Sequence, residues 1–300
     1  PTGALLVTSS RVDNASRLFR LDRSAPSGRS SATSGVVFYH PFEAGLTFPG
    51  DLILQPERGY AVIAWDEHLS LWDLAASSPP RALAGKNPRV SRDGRYLVTF
   101  DGGKALLHDT HAAATPRPPP TEVNAEDCDA ADAAFSPDGG KLILACKSGT
   151  LREADLFSAG PARILASVGA CASSSRTPQI SDSGASALFF CGGADVRAVG
   201  REGQVDLPPL CESDAEWSLT PDGLTAVCGT DDGIAVFPLA APEQVTLWSG
   251  WGAKVTWTSA VPEGRLAVAM TSDRTVRVVD LDAPGKVILT AEHAQQLTTV

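Results

Sequence analysis

The chain has 300 residues, of which 43% are apolar and 20% charged, so it can bury a large core and does not have the composition of a disordered protein. Its formal net charge of −10 argues against nucleic acid as a partner, because a phosphate backbone calls for a basic surface, but is compatible with a cationic partner. No stretch reaches the ~20 apolar residues that span a bilayer, so we expect no membrane span in this sequence.

An internal repeat organises most of the chain. Six turn signals recur, and their glycines lie about 35 to 45 residues apart. This period is typical of propeller blades, which have four strands in ~40–50 residues. The turns are Pro56–Gly59, Ser91–Gly94, Ser136–Gly139, Ser181–Gly184, Thr220–Gly223 and Val261–Gly264.

Each copy places short β-prone runs around its turn. In the third copy, Ala133–Ser136 leads into the turn and the apolar run Lys141–Ala145 follows it. A polar tight turn comes next, then an alternating third run such as Val276–Leu281, and then a weaker fourth run such as Val245–Trp248. The continuous apolar second run is typical of a strand buried between neighbouring sheets.

The two ends of the chain complement each other. Ala4–Thr8 and Arg17–Asp22 have the character of second and third strands, and Gln296–Val300 is a β-prone run that no further blade follows. We therefore predict an all-β, seven-bladed β-propeller, a single domain over residues 1–300, whose first blade is completed by a C-terminal strand at about 295–300. Joining the two ends in one blade closes the ring and removes open sheet edges.

Two motifs resemble those of a known family. The turn Ser136-Pro137-Asp138-Gly139 and the ending Leu71-Trp72-Asp73-Leu74 resemble WD40-like propeller repeats, including bacterial ones, and the resemblance covers nearly the whole chain. The sequence departs from the family because no Gly-His pair opens a blade and only one copy keeps Trp-Asp at the end of its third strand. The resemblance implies the fold and says little about function.

The six cysteines take matching positions in the third, fourth and fifth copies. By the WD40-like resemblance, one cysteine of each copy lies in the loop entering the first strand and the other at the end of the second strand, where the family carries a His–Ser/Thr contact. These positions are neighbours in an antiparallel pair, so we expect disulfides there, the alternative being six reduced, buried thiols. The expected pairs are Cys128–Cys146, Cys171–Cys191 and Cys211–Cys228.

No residue is assigned a catalytic, cofactor-binding or metal-binding role. The three Gly-Lys pairs lack the other residues of a phosphate loop, and the cysteines lack the C-x₂₋₄-C spacing of zinc sites. His108 and His111 are interpreted as part of a solvated loop, and so is the acidic run Glu126–Asp129 with Asp132. We therefore expect a protein that is not an enzyme and needs no cofactor.

Aromatic residues in predicted loops are the candidates for binding. Trp251 lies between two glycines, and Trp65 lies at the end of a second strand beside acidic residues and a histidine. Tryptophan is enriched among binding hot spots, although each of these side chains has the alternative of packing against a neighbouring blade. The candidate binding residues are Trp65, Asp66, His68 and Trp251, whereas Trp72, Trp217 and Trp257 are expected in the core.

The favoured function is a monomeric scaffold or sensor propeller that binds a protein or peptide, as one module of a larger bacterial protein. Structural disulfides are typical of an oxidising compartment, so a periplasmic or secreted location is expected, whereas free thiols would indicate the cytoplasm. Two alternatives stay open. One is a lactonase-type hydrolase that works in the central opening, and the other is the ligand-sensing end of a cytoplasmic signalling ATPase.

Overall fold

The fold is all-β, with almost no helix. The computed structural model describes residues 4–10, 15–22, 31–39, 49–55, 58–65, 68–73, 81–110, 119–158, 160–168, 176–200, 203–212, 215–261, 265–283 and 285–292. Within them, 27 strands form one three-stranded and six four-stranded antiparallel sheets, and a short 3₁₀ helix spans Pro242–Gln244. In every sheet the strands follow one another in chain order as a meander.

The chain divides into two compact units, Pro1–Lys86 and Asn87–Thr299. In the first unit, β1 to β3 form the three-stranded sheet and β4 to β7 form a four-stranded one. The bounds of these strands are β1 Ala4–Ser10, β2 Ala15–Asp22, β3 Ser31–Tyr39, β4 Pro49–Gln55, β5 Tyr60–Trp65, β6 His68–Asp73 and β7 Arg81–Leu83.

The remaining twenty strands form five four-stranded sheets of the second unit. The first two are β8 Lys86–Val90, β9 Tyr96–Asp101, β10 Lys104–Asp109 and β11 Thr121–Glu122, and then β12 Ala130–Phe135, β13 Lys141–Cys146, β14 Thr150–Asp155 and β15 Arg163–Ser167. The next two are β16 Gln179–Ile180, β17 Ser186–Phe190, β18 Val196–Gly200 and β19 Gly203–Asp206, and then β20 Trp217–Leu219, β21 Thr225–Thr230, β22 Gly233–Pro238 and β23 Thr246–Trp248. The last sheet is β24 Val255–Ala260, β25 Leu266–Thr271, β26 Thr275–Asp280 and β27 Val287–Glu292.

The repeated turn falls between the first and second strands of all six four-stranded sheets, as the spacing of the turns predicts. In the third copy, side-chain hydrogen bonds stabilise the turn Ser136–Gly139. Asp138 Oδ1 accepts hydrogen bonds from Ser136 Oγ at 2.5 Å and from the Gly140 amide at 3.0 Å. Chiefly because Ser136 donates to it, the pKa of the Asp138 carboxyl lies below its ordinary value. Gly139 has a φ of 70°, which glycine adopts at little steric cost.

Buried side chains join each sheet of the second unit to the next one in chain order. The first of four apolar clusters combines Phe100 of β9 with Leu144 of β13, and the last combines Ile234 of β22 with Val279 of β26. The other two clusters link the sheets in between. The second strands β13, β17 and β21 are therefore covered on both faces, as their continuous apolar runs predict, whereas β25 is buried on alternate residues only. The core positions predicted for Trp72 and Trp217 are confirmed, since they are 2% and 3% exposed, whereas Trp257 is half-buried.

One buried carboxylate connects the first strands of three successive sheets. Asp132 of β12, only 3% exposed, accepts hydrogen bonds from Arg89 of β8 through Oδ1 at 2.8 Å and Oδ2 at 3.1 Å. Its Oδ2 also accepts the Ile180 amide of β16 at 3.1 Å, and its Oδ1 accepts the Ala133 amide at 2.9 Å. A buried carboxylate with this many donors is satisfied, so Asp132 is a structural link and lies apart from the solvated acidic run with which the sequence grouped it.

The C-terminal strand predicted at about 295–300 lies outside the described residues. Closure of a seven-bladed ring and the single domain over residues 1–300 therefore stay predictions.

Candidate functional site

Disulfides lie at one end of the sheets. Cys128 precedes β12 and is bonded to Cys146 at the end of β13, with a Cα–Cα distance of 5.2 Å. Cys211 is bonded in the same way to Cys228 of β21, with a Cα–Cα distance of 6.4 Å. Both pairs are those predicted from the sequence. Cys191 is also disulfide-bonded, and its predicted partner, Cys171, lies outside the described residues.

We call the end of a sheet at which its first strand begins and its second strand ends the disulfide end. At this end, beside Cys128, the second unit contains a cleft with a volume of about 490 Å³. One wall is the tight turn Gly102–Lys104 between β9 and β10, and the other is the connection Glu122–Asp129 that leads from β11 to β12. The cleft therefore lies between two sheets and is bounded on one side by a covalent cross-link.

The rim of this cleft is acidic. Glu122, Glu126, Asp127 and Asp129 all line it, and all four side chains are exposed. Two of them have lysine partners, since Lys104 Nζ lies 2.9 Å from Glu122 and a neighbouring lysine pairs with Asp129. Glu126 and Asp127 make no ion pair within the described part of the chain. The rim thus presents net negative charge to solvent, where it can attract a cationic group.

Several contacts fix the shape of the cleft. The Ala130 amide donates to the Gly103 carbonyl at 2.8 Å, and the Arg152 guanidinium donates to the Glu126 carbonyl. Gly103 has a φ of 82°, which favours glycine, and a Cβ added there would lie 2.4 Å from Asp129 Oδ1, so the Asp129 carboxylate would have to move. Asp127 also takes a left-handed φ, at 58°, which Asp and Asn tolerate better than other residues.

Trp251 lies at the disulfide end of the last two sheets. It is half-buried against the apolar cluster of β22 and β26, and Arg277 Cζ lies 5.0 Å from the centre of its ring. Asp232 accepts the amides of Gly250 at 2.8 Å and of Gly252 at 2.6 Å, which fixes the loop on either side of Trp251. These bonds, the Gly250 one first, hold the pKa of the Asp232 carboxyl below its ordinary value. Trp251 therefore packs against its neighbours, which is the alternative that the sequence left open. A binding role for Trp251 stays a prediction.

The remaining candidate binding residues lie near the β5–β6 hairpin of the first unit. Trp65 and His68 are opposite one another in the β5–β6 hairpin, and Asp66 lies outside the described residues, so their binding role stays a prediction. The solvated position expected for His108 is wrong. Its side chain is 7% exposed, and its Nε2 lies 2.9 Å from Thr99 Oγ1 across the β9–β10 ladder. His111 lies outside the described residues.

Sequence reasoning missed two features of this region. The cleft has no local signature, because its walls come from two separate connections that only the sheet packing brings together. Asp132 had a signal, since it is the one charged residue within the otherwise apolar strand Ala130–Phe135. A charge at such a position indicates a buried partner.

No known protein-family model and no curated protein matches the sequence. Among the described residues, no group of three or more His, Cys, Asp or Glu side chains is placed to hold a metal ion. No helix in the described ranges has the length and hydropathy to cross a membrane.

Proposed function

We propose that the chain is a seven-bladed β-propeller of WD40-like type that binds a basic segment of a protein or peptide at its acidic cleft. The observation that carries this function is the cleft beside Cys128, whose walls are fixed and whose rim is negatively charged. A rigid, charged recess is suited to recognition, because its surface needs little ordering when a partner binds.

The propeller architecture is supported by the arrangement of the second unit. Five successive four-stranded meanders pack on one another through continuous apolar clusters, and the first strands of neighbouring sheets are in contact. The first unit adds a four-stranded sheet and a three-stranded sheet. A seven-bladed propeller whose first blade is completed by a C-terminal strand requires seven sheets in chain order, the first of which lacks one strand. The seven sheets in the described part of the chain have this arrangement.

The disulfides support an extracytoplasmic location. Two pairs are cross-linked, and Cys146 and Cys228 are both 0% exposed. Buried structural disulfides persist in oxidising compartments and are rare in a reducing cytosol. We therefore propose a location in the periplasm or outside the cell.

The charge of the cleft defines the class of partner. Glu126 and Asp127 lie on the rim without ion-pair partners among the described side chains, so lysine or arginine side chains of a bound segment would pair with them. Pairs of this exposed kind contribute about 0.2–1 kcal/mol each, which corresponds to an affinity change of about 1.4- to fivefold per charge removed.

The test is selection of peptides from a random displayed library on the purified, oxidised protein. We expect the enriched peptides to be rich in Lys and Arg, and their affinity to fall as salt is raised. Glu126→Gln and Asp127→Asn should each weaken binding of the best peptide, and together they should weaken it about two- to 25-fold. Asn tolerates the left-handed backbone at position 127, so this substitution leaves the fold of the loop unchanged.

Glu243→Gln is the matched control, because Glu243 is an exposed glutamate in the 3₁₀ helix, outside the set of residues that line the cleft. It should leave the affinity unchanged. Enrichment of peptides without basic residues, or equal effects of the cleft and control variants, would show that the cleft is not the binding site.

A further inference from the structure

The last strand of the second unit exposes apolar side chains on an open edge. β27 ends its sheet, and within the described ranges no strand pairs with its outer side. Its three large apolar residues, Val287, Ile288 and Leu289, are 38%, 50% and 54% exposed. Such an edge offers unpaired backbone donors and acceptors next to an apolar surface, which is a template for pairing with another strand.

The other outer strands of the second unit are shorter, and each exposes at most one large apolar side chain. β27 has six residues, whereas β11, β19 and β23 have two, four and three. β15 has five residues and exposes Ile164 at 56%, but it begins with the charged residue Arg163, whose side chain is 70% exposed. Proteins usually protect an edge with short strands, proline, charges or bulges. β27 has a bulge at Ile288, but it has no proline, and its one charged residue, Glu292, lies at its end.

The sequence of this edge is complementary to itself. In an antiparallel pair with a two-fold axis at Leu289, Val287 faces Ala291 and Ile288 faces Thr290 of the second copy. The same register places Lys286 opposite Glu292, and the symmetry makes this oppositely charged pair occur twice. Both side chains are exposed, and the existing contact of Lys286 with Asp280 is a surface ion pair of 3.4 Å, which contributes little.

We propose that β27 is a self-association surface, on which two copies of the chain pair through antiparallel β27 strands to form a symmetric dimer. Apolar and oppositely charged cross-strand pairs stabilise such a contact, and a two-fold axis makes the same patch serve both partners. The partner is a second copy, because Lys286 and Glu292 satisfy each other only in the self-paired register. The dimer would replace the monomer expected from the sequence and would leave the acidic cleft on each copy unaltered.

The test is sedimentation equilibrium of the oxidised chain and its charge variants over a wide range of concentrations. The wild-type mass should rise with concentration from 31.3 kDa toward twice that value. Lys286→Glu alone and Glu292→Lys alone each place like charges opposite one another twice, so each should weaken dimerisation about tenfold or more. The double variant restores both pairs with their signs exchanged, and it should dimerise like wild type.

Leu289→Lys places two lysines together at the axis and should give a monomer at every concentration. Its matched control is Leu247→Lys on the outer strand β23, because Leu247 is 56% exposed and Leu289 is 54% exposed. The control should dimerise like wild type. A wild-type protein that stays monomeric, a dimer indifferent to Leu289→Lys, or a double charge variant that does not recover would each overturn the proposal.

Discussion

Replacement of Asp132 by alanine tests whether one buried carboxylate links three successive sheets. The substitution leaves the Ile180 amide, on a residue that is 8% exposed, without its acceptor, which costs about 1–3 kcal/mol. It also removes the ion pair between Arg89 and Asp132, but the Arg89 side chain is 42% exposed and regains water, so this loss is about 1 kcal/mol or less. We therefore expect Asp132→Ala to lower the free energy of unfolding by about 1–4 kcal/mol.

Asp132→Asn keeps the shape of the side chain and one acceptor oxygen, so it should cost about half as much. Urea unfolding followed by far-UV circular dichroism gives both values, with the slope of the transition checked for two-state behaviour. Asp129→Ala is the control, because its carboxylate is exposed and forms a surface ion pair with an exposed lysine, and it should change stability by about 0.5 kcal/mol or less. An Asp132→Ala protein as stable as this control would refute the role assigned to Asp132.

Three further predictions concern the disulfide end. Replacing Cys128 and Cys146 together by alanine should lower stability by about 3 kcal/mol under oxidising conditions, the value expected for a loop closed by residues 18 apart, and equal urea midpoints would contradict this. Folding lowers the pKa of the Asp232 carboxyl, so the ionised carboxylate stabilises the folded protein. This contribution is complete above the unfolded pKa of about 4 and is lost as the pH falls through the pKa of the folded state. Asp232→Asn should therefore be less stable than wild type at pH 7, and the difference should shrink below about pH 4, as measured by urea titrations at each pH. Gly103→Ala should lower the free energy of unfolding by about 1–2 kcal/mol, because alanine at this position has a positive φ and contacts Asp129. A thermal midpoint equal to that of wild type would contradict the backbone conformation and wall contact described for Gly103.

The sequence predicts those parts of the fold that depend on neighbouring residues. The turn Ser136–Gly139 is recognisable because its hydroxyl, carboxylate and glycine act on one another within four residues. The continuous apolar run Lys141–Ala145 is recognisable because burial between two sheets excludes polar residues from such a strand. The pairing of Cys128 with Cys146 is implied by the resemblance to WD40-like repeats, in which these two positions are neighbours.

Features that depend on distant residues could not be predicted in this way. Arg89 and Asp132 are 43 residues apart, and nothing local indicates that they meet. The solvated position expected for His108 was wrong because a histidine near a strand end is compatible with either face of the sheet, and the register with β9 decides which one it takes. The exposure of Leu289 is likewise set by its place on an outer strand, although its sequence is as apolar as that of a core strand.

We propose that the chain closes into a seven-bladed ring through a C-terminal strand that pairs beside β1. Hydrogen exchange followed by mass spectrometry tests it directly, by comparing residues 296–300 with the edge strand β1, Ala4–Ser10. Closure predicts that amides in both segments exchange slowly, at rates close to those of β12, because each strand is then paired. If residues 296–300 exchange at the rate of a free chain and alternate amides of β1 exchange rapidly, the ring is not closed by this strand.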